Sequence, residues 1–321
     1  MASVEKQRTS ARAAAPRDAD LLTRAGLITL DYISPPPELA AYAATLYHFR
    51  CDERDIRDMQ PAAVGHLIVF LRGQGTMHFA DGRIDPSHRV SLLTPCNAAV
   101  PIAVDGPWEC VGVALSPLGW AALTRLHAGD WADRLLPAAS ILGPEAQELG
   151  EALAAAHRAG ASGAELCRRL GLFMAARIKP VNPRHAALIQ AVAGWLGTGF
   201  DPPIAALNAL SLYSPRQTQR LVERYFGLSP SVLRRKYRAL RIVALLAMPK
   251  ISDEQVAQLV DHYYDQSHMI REIRHFAGRT PGRLAQEGES MLAMALDIRN
   301  YREGYPQVAP LPPGFHANDS Q

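Results

Sequence analysis

Cysteine is scarce in this chain: there are four residues in 321, at positions 51, 96, 110 and 167, and none lies in the CxxC spacing of metal and redox sites. We expect reduced, buried thiols rather than disulfides or metal ligands. No apolar run reaches the roughly 18 residues that a membrane span requires. The stretch 1–20 lacks the apolar core of a signal peptide and reads as a disordered tail. The sequence therefore favours a cytoplasmic protein with no membrane partner.

Long helical patterns are absent from about 21 to 117. Short apolar or alternating runs broken by Gly, Pro and Asp stand there instead: GLITLDYI, HLIVFLRGQGTMHFADG, RVSLLTP, AVPIAVDG and WECVGVALSP. Such runs predict a small antiparallel barrel or sandwich. The pattern changes near Pro117, after which 118–128, 144–158 and 163–178 have helical periodicity. A further helix is predicted over 182–196, with Asn182 as its N-cap and Pro183 at its first position.

The second half of the chain contains an internal repeat. Residues 212–230 (LYSPRQTQRLVERYFGLSP) align without gaps with 263–281 (YYDQSHMIREIRHFAGRTP) at an offset of 51 positions. The matched classes are an N-cap, a core stripe, a C′ glycine, and a second cap followed by proline. The matched pairs are Tyr213 and Tyr264, Ser214 and Asp265, Arg220 and Arg271, Val222 and Ile273, Tyr225 and Phe276, Gly227 and Gly278, Ser229 and Thr280, and Pro230 and Pro281. Two copies of one structural unit are therefore predicted.

Each copy predicts an amphipathic helix with a wet face rich in hydrogen-bond donors. In the first copy the outward residues are Arg216, Gln219, Arg220 and Glu223; in the second they are Ser267, His268, Arg271, Arg274 and His275. A shorter apolar helix precedes each copy, IAALNALSL (204–212) and DEQVAQLV (253–260). A helix, a tight turn and a second helix form the helix-turn-helix DNA reader, whose second helix enters the major groove.

A helix over 231–248, stopped by Pro249, is predicted to join the two readers. At 1.5 Å per residue it is roughly 27 Å long, which suits two readers about one DNA turn apart, roughly 34 Å along the axis. Its run RRKYRALR (234–241) carries Arg234, Arg235 and Lys236, which are candidate phosphate contacts. An ordinary solvated helix face is an equally good interpretation of this run. Residues 201–290 have a surplus of four positive charges, whereas the chain as a whole has a net charge of +3.

From about 182 to 287 these residues resemble the DNA-binding domain of the AraC/XylS transcription regulators. The resemblance rests on SPRQTQRLVERYFGLSP in the first unit and YYDQSHMIREIRHFAGRTP in the second. It implies that base pairs are read by early outward residues of each second helix. The candidate DNA contacts on these two helices are Arg216, Gln219, Arg220, Arg224, Gln266, Ser267, His268 and Arg271. Two departures are His262, where the family often has glycine, and Gln258, where a small residue is usual.

The resemblance also implies a complete architecture of class α+β. We expect a tail over 1–20, a β-rich, cupin-like sensor or dimerisation domain over 21–117, a helical connector over 118–180, the double helix-turn-helix domain over 181–287 and a loose tail over 288–321. Double-stranded operator DNA and RNA polymerase are the implied partners, with a small-molecule effector and a second copy of the chain as further candidates. Activation is the commoner outcome in the family. Metal-dependent cupins use an HxH pair, but His66, His78 and His88 stand singly, so no metal or other cofactor is expected.

An enzyme tethered to a DNA reader is the alternative, as in DNA alkyl-repair proteins that carry the same type of reader. That chemistry requires an activated cysteine beside a base or a cation. Only Cys167, in ELCRRL, has neighbouring cations, and it falls in an apolar helical pattern. A PCHR-like acceptor motif is absent. The sequence therefore favours a regulator without catalytic residues.

Overall fold

The computed structural model describes residues 27–246 and 266–280. The expectations for the tails at 1–20 and 288–321, for the helix DEQVAQLV, and for Pro249, Gln258, His262 and Asp265 all lie outside these ranges. Eight strands occur in the first part of the described chain. They are β1 (Ile28–Ile33), β2 (Ala43–Cys51), β3 (Asp55–Gln60), β4 (His66–His78), β5 (Ile84–Pro86), β6 (Val90–Leu93), β7 (Val100–Leu115) and β8 (Leu135–Pro137).

The strands form one antiparallel sheet in the order β1-β2-β7-β4-β6-β8, with β3 added to β7 and β5 added to β4. Strand β7 is the centre of this arrangement, because its first part pairs with β3 and its second part with β2, while β4 follows it on the other side. The sequence runs AVPIAVDG and WECVGVALSP were expected to be separate strands. They join into this single 16-residue strand, which passes through the Gly106–Pro107 peptide.

The two faces of the sheet bury separate apolar cores. One core takes alternate residues of β4 and β7, such as Val69 and Val113, together with helical residues including Leu153 and Leu166. The other core is built almost wholly by strands, and it unites Ile28 of β1 with residues of β8 at the opposite end of the sheet order. A sheet whose two ends share one core is curled, so the expected small antiparallel β fold is present.

The helices follow the strands. They are α1 (Pro117–Thr124), α2 (Ala139–Leu142), α3 (Glu145–Arg158), α4 (Gly163–Ala175), α5 (Pro183–Gly197), α6 (Ile204–Leu210), α7 (Pro215–Phe226), α8 (Pro230–Leu246) and α9 (Gln266–Ala277). Helix α5 begins as predicted, with the Asn182 side chain accepting a hydrogen bond from the backbone of Arg184 and Pro183 at the first position. None of the helices in the described ranges is long and apolar enough to cross a membrane.

Helices α5 to α8 build a third core, with Val192, Trp195, Val222 and Leu233 buried in it. Ala121 of α1 is buried in the same core, so the connector helix packs against both the sheet and the helical part of the chain. The fold class is therefore α+β as expected: an antiparallel sheet with helices on one face, followed by a helical region.

Candidate nucleic-acid interface

Helix α7 is bounded by the capping residues that the sequence indicates. The Ser214 hydroxyl accepts a hydrogen bond from the backbone N–H of Gln217, and Pro215 occupies the first helical position. Gly227 closes the helix with a left-handed φ of 82°, a conformation that costs glycine little. These local signals fix both ends of α7 without help from the rest of the chain.

The buried face of α7 is tied to its neighbours by polar contacts. The Thr218 and Ser211 hydroxyl oxygens lie 2.6 Å apart, which fixes the turn between α6 and α7. The Tyr225 hydroxyl lies 2.6 Å from Nδ1 of His185 and so links α7 to α5. Val222 is fully buried between these contacts. Because this face is fixed, the opposite face of α7 has a defined orientation.

The opposite face of α7 carries the predicted base-reading side chains, and all of them are exposed. Arg216, Gln219, Arg220 and Arg224 lie on it. The Gln219 amide donates a hydrogen bond to the Glu223 carboxylate at 3.0 Å, which sequence reasoning did not single out. Spacing of four residues along a helix is the signal that predicts such a pair.

Helix α9, the second copy, presents an equivalent face. Ser267, His268 and Arg271 are exposed, and the Arg271 guanidinium donates to the Ser267 carbonyl at 3.3 Å. Gln266 is the first residue of the helix, and its side chain lies outside the described part of the structure. Gly278 has a φ of 79°, as Gly227 does in the first copy. The predicted site residues are therefore distributed over α7 and α9, which we call the recognition helices.

The apolar stripe of α9 also carries an acid that the sequence analysis missed. Glu272 is buried, and its Oε2 accepts a hydrogen bond from Arg238 of α8 at 2.6 Å. Arg238 also lies 3.0 Å from an Asp201 carboxylate oxygen. A carboxylate inside a core stripe requires a cationic partner, and this requirement is the signal that pointed towards α8.

The basic run of α8 does not form the free cation stripe that was expected. Arg234 pairs with Asp201 at 2.9 Å, and Arg235, whose side chain is 42% exposed, lies 3.6 Å from Glu272. Arg241 donates to the backbone carbonyls of Gly199 and Leu196. These guanidinium groups fasten α8 to the α5–α6 connection and to α9. The expected role of Arg234 in phosphate binding is at odds with this intramolecular pairing.

Lys236 departs furthest from its expected position. It is only 4% exposed, and its ammonium donates to the carbonyls of Ala63 at 3.0 Å and Cys96 at 2.8 Å. Removal from water lowers the pKa of Lys236 to about 8, because burial disfavours the charged form. An ammonium enclosed between the sheet region and α8 is not presented to a DNA phosphate, so the expected phosphate contact does not fit this arrangement.

The strand region contacts the recognition helices elsewhere as well. Asp58 of β3 is fully buried and forms an ion pair with Arg279, one residue beyond Gly278. A small cavity lies nearby, lined by both regions and including Gly65, Trp120 and Phe226. Its volume of about 20 Å³ accommodates about one water molecule rather than a metabolite.

The histidines singled out in the sequence are dispersed. His66 is held 3.1 Å from the Tyr47 hydroxyl, and burial lowers its pKa to about 4. His78 lies 3.0 Å from the Thr76 hydroxyl. Within residues 27–246 and 266–280, no three potential metal-ligating side chains converge on one point.

A family model described as a helix-turn-helix domain matches residues 209–287, about a quarter of the chain, and spans both copies of the repeat. No curated protein matches the sequence. Among solved structures, the chain is similar to ToxT from Vibrio cholerae O395, with 7% identity, a TM-score of 0.42 and coverage of 82% of this chain and 98% of that chain. It is also similar to the AraC-like transcriptional activator CuxR, with 11% identity, a TM-score of 0.31 and coverage of 83% and 93%. Both scores are under 0.5, so neither structure carries an argument about function.

The assignment rests on the matched segment and on the geometry of its helices. The segment begins in α6 and contains both recognition helices, each with one buried stripe and one exposed, donor-rich face. The order of helix, turn and capped helix is that of a DNA reader. Residues 209–287 are therefore a helix-turn-helix domain of the AraC/XylS type, and the chain is a DNA-binding transcription regulator.

Proposed function

We propose that the protein reads a specific operator in double-stranded DNA through both recognition helices, and that it activates transcription from that site. The observation that carries this proposal is the equivalence of α7 and α9. Each exposes arginines on one face and buries Val222 or Ile273 on the other. Two readers on one connecting helix suit two major-groove faces about one DNA turn, roughly 34 Å, apart.

The exposed side chains have the chemistry that base reading requires. Arginine pairs with the O6 and N7 atoms of guanine through two hydrogen bonds, and glutamine pairs with adenine in the same manner. Arg216, Arg220 and Gln219 supply these groups on α7, and Arg271 with Ser267 supplies them on α9. The net charge of +3 is small, so specificity arises from contacts to the bases rather than from bulk attraction.

Phosphate contacts are assigned to exposed cations. Arg224 is exposed at the last turn of α7, where its guanidinium lies 5.8 Å from the centre of the Tyr225 ring. Arg235 retains an exposed side chain beside its Glu272 partner. These positions flank the reading faces, as contacts that set register on the duplex do.

The regulatory partners are proposed from the family type. RNA polymerase is the partner of an activator, and the strand region senses a small molecule or pairs with a second copy of the chain. The 20 Å³ cavity is too small for a metabolite. An effector site in the present arrangement therefore requires the chain to open a larger space, whereas dimerisation does not.

A DNA-tethered alkyl-transfer enzyme is disfavoured by the state of the thiols. All four cysteines are free and buried. Burial raises the pKa of both Cys96 and Cys167 to about 12, and it also raises those of Cys51 and Cys110. A nucleophilic cysteine requires the opposite shift, towards the thiolate. An alkyl-transfer assay on treated DNA is expected to show no transfer, and transfer to any of the four thiols would contradict the regulator assignment.

The proposed function is tested by selecting bound fragments of the source genome with the purified full-length chain. We expect enrichment of a small set of related sequences upstream of genes, with competition by random DNA only at great excess. Retention of fragments in proportion to their length alone would mean that the protein binds DNA without reading it. Reporter transcription from an enriched fragment, with and without the protein, then separates activation from repression.

A further inference from the structure

Equivalent atoms of the two repeat copies make equivalent contacts with the strand region. The carbonyl of Arg224 in α7 accepts a hydrogen bond from the backbone N–H of Ala128 at 2.7 Å. Exactly one repeat later, the carbonyl of His275 in α9 accepts one from the backbone N–H of Ala99 at 2.8 Å. The next carbonyl, of Phe276, accepts from Ala62 at 2.8 Å. Both recognition helices are thus held at their carboxyl ends by the same part of the molecule.

These contacts answer a general requirement of helix ends. The last four carbonyls of a helix have no partner within the helix, so they need donors from elsewhere. Here the donors are backbone N–H groups of loops between strands and after α1, rather than water. A backbone donor at a fixed place in a folded sheet holds the helix end in position, which solvent does not.

The two C′ glycines permit a close approach of the regions. A Cβ atom added at Gly278 would lie 2.8 Å from Cε of Met59, and one added at Gly227 would lie 3.3 Å from the Asn97 side chain. Both glycines have positive φ, which accounts for glycine within each copy taken alone. The contacts with Met59 and Asn97 add a reason that lies outside the repeat.

Two buried charged groups complete the contact. Lys236 of α8 donates to the carbonyls of Ala63 and Cys96, and Asp58 of β3 pairs with Arg279 after α9. Breaking a buried, hydrogen-bonded charge pair leaves an uncompensated charge, so such contacts resist separation. We call the set of contacts made by Asp58, Met59, Ala62, Ala63, Cys96, Asn97, Ala99 and Ala128 with α7, α8 and α9 the interdomain contact.

We propose that the interdomain contact sets the relative position of the two recognition helices, so that Asp58, Arg279 and Lys236 are positioning residues that determine which operator spacing the protein accepts. This inference rests on the proposed DNA-reading function. The recognition helices are gripped at their carboxyl ends, whereas their exposed early residues, Arg216 in α7 and Ser267 in α9, lie at the opposite ends. The strand region thereby fixes the separation and rotation of the reading faces without covering them.

Operator spacing is the property that such positioning controls. Each inserted base pair moves the second reading site by about 3.4 Å along the duplex and rotates it by roughly 34°. Two readers joined through α8 alone tolerate part of this change by bending. Two readers that are also fixed on one folded surface do not, so the protein must lose contacts or distort the DNA.

The test uses the full-length chain and an operator obtained by selection with that chain. Derivatives of this operator carry one base pair more or one fewer between the two protected faces. The wild-type protein is expected to bind each derivative about tenfold more weakly than the native spacing, equal to the loss of one or two base contacts. Asp58→Asn removes the charge facing Arg279, and Lys236→Met removes the ammonium while keeping the length of the side chain. In both variants the spacing penalty is expected to fall to about threefold or less, roughly 0.6 kcal/mol.

Asp81→Asn is the matched control, because it is the same substitution at an exposed aspartate of the same region that pairs only with neighbouring Arg83 in the described contacts. It is expected to retain the full penalty. If Asp58→Asn does not fold, as judged by circular dichroism, Lys236→Met carries the same comparison.

Each outcome decides between accounts. A wild-type protein that binds all spacings equally well, or variants that keep the tenfold penalty, overturns the positioning role while leaving DNA reading intact. Variants that bind every spacing more tightly by one common factor identify the contact as a brake on DNA binding and also overturn the proposal. A wild-type protein that selects no operator refutes the proposed function itself.

Discussion

Glu272 of α9 and Arg238 of α8 form a buried pair, with Oε2 and Nη2 2.6 Å apart. This pair joins the second recognition helix to the helix that connects the two readers. Asp201, before α6, lies 3.0 Å from the same guanidinium and extends the link towards the first reader. The second reader is therefore attached to α8 by charge as well as by its apolar stripe.

Glu272→Gln is expected to destabilise the protein strongly. The substitution keeps the shape of the side chain but leaves the buried Arg238 guanidinium short of one negative partner, and breaking such a pair costs about 3–5 kcal/mol. Urea denaturation followed by circular dichroism measures the free energy of unfolding. Glu223→Gln, a more exposed change on α7, is the control and is expected to stay within about 0.5 kcal/mol of the wild type. Equal, small effects for both variants would show that the Glu272 pair contributes little.

Gly278→Ala is expected to cost more stability than Gly82→Ala. Both glycines have a positive φ, 79° and 87°, so both substitutions incur the backbone strain of about 1 kcal/mol. A Cβ at Gly278 also meets three Met59 side-chain atoms within 3.0 Å, whereas a Cβ at Gly82 meets nothing within 4 Å. Comparing the two unfolding free energies isolates the effect of the Met59 contact, and equal losses would argue against close packing there.

The stability of the protein around Lys236 is expected to rise with pH between about 8 and 10.5. Its pKa is lowered from 10.5 to about 8 by burial, although nearby Cys96 and Asp133 act in the opposite direction. Within this window the unfolded chain holds the proton and the folded chain releases it, so raising the pH favours folding. Thermal melting of wild type and Lys236→Met from pH 7.5 to 9.5 is the measurement. The wild type should gain stability relative to the variant as the pH rises, and a constant difference would contradict the buried position.

Arg220→Ala and Arg271→Ala are each expected to weaken operator binding by about 1–3 kcal/mol and to relax preference at one or two base positions. Each removes a side chain able to make two hydrogen bonds to one guanine. Arg169→Ala, at an exposed arginine of α4, is the control and is expected to leave operator binding unchanged. Titrations on operator and on random DNA separate the effects, because equal losses on both for Arg220→Ala would exclude base reading by that residue.

The sequence was most informative where the physical cause is local. Ser214, Gly227 and Asn182 act through their own helix ends, so their roles could be read from a few neighbouring residues. The apolar stripes of α7 and α9 follow the helical period and were placed correctly for Val222, Ile273 and Phe276. The fold class and the helix-turn-helix domain followed from such signals.

The sequence was least informative where the cause lies far along the chain. Gly106 and Pro107 were interpreted as a break, but partners on both sides carry β7 straight through them. Lys236 belongs to a basic run, and only carbonyls more than 100 positions away, at Ala63 and Cys96, explain its burial. No periodicity within α8 encodes those contacts. The pairing of Asp58 with Arg279 spans 221 positions and was missed for the same reason.

The central claim, that the two recognition helices read separate major-groove faces, is tested most directly by dimethyl sulfate protection of the operator with the full-length chain. This reagent methylates guanine N7 in the major groove, where Arg220 and Arg271 are placed. The wild type is expected to protect guanines in two patches about 10 base pairs apart, Arg220→Ala to expose one patch, and Arg271→Ala to expose the other. A single protected patch, or two variants that expose the same guanines, would contradict the account.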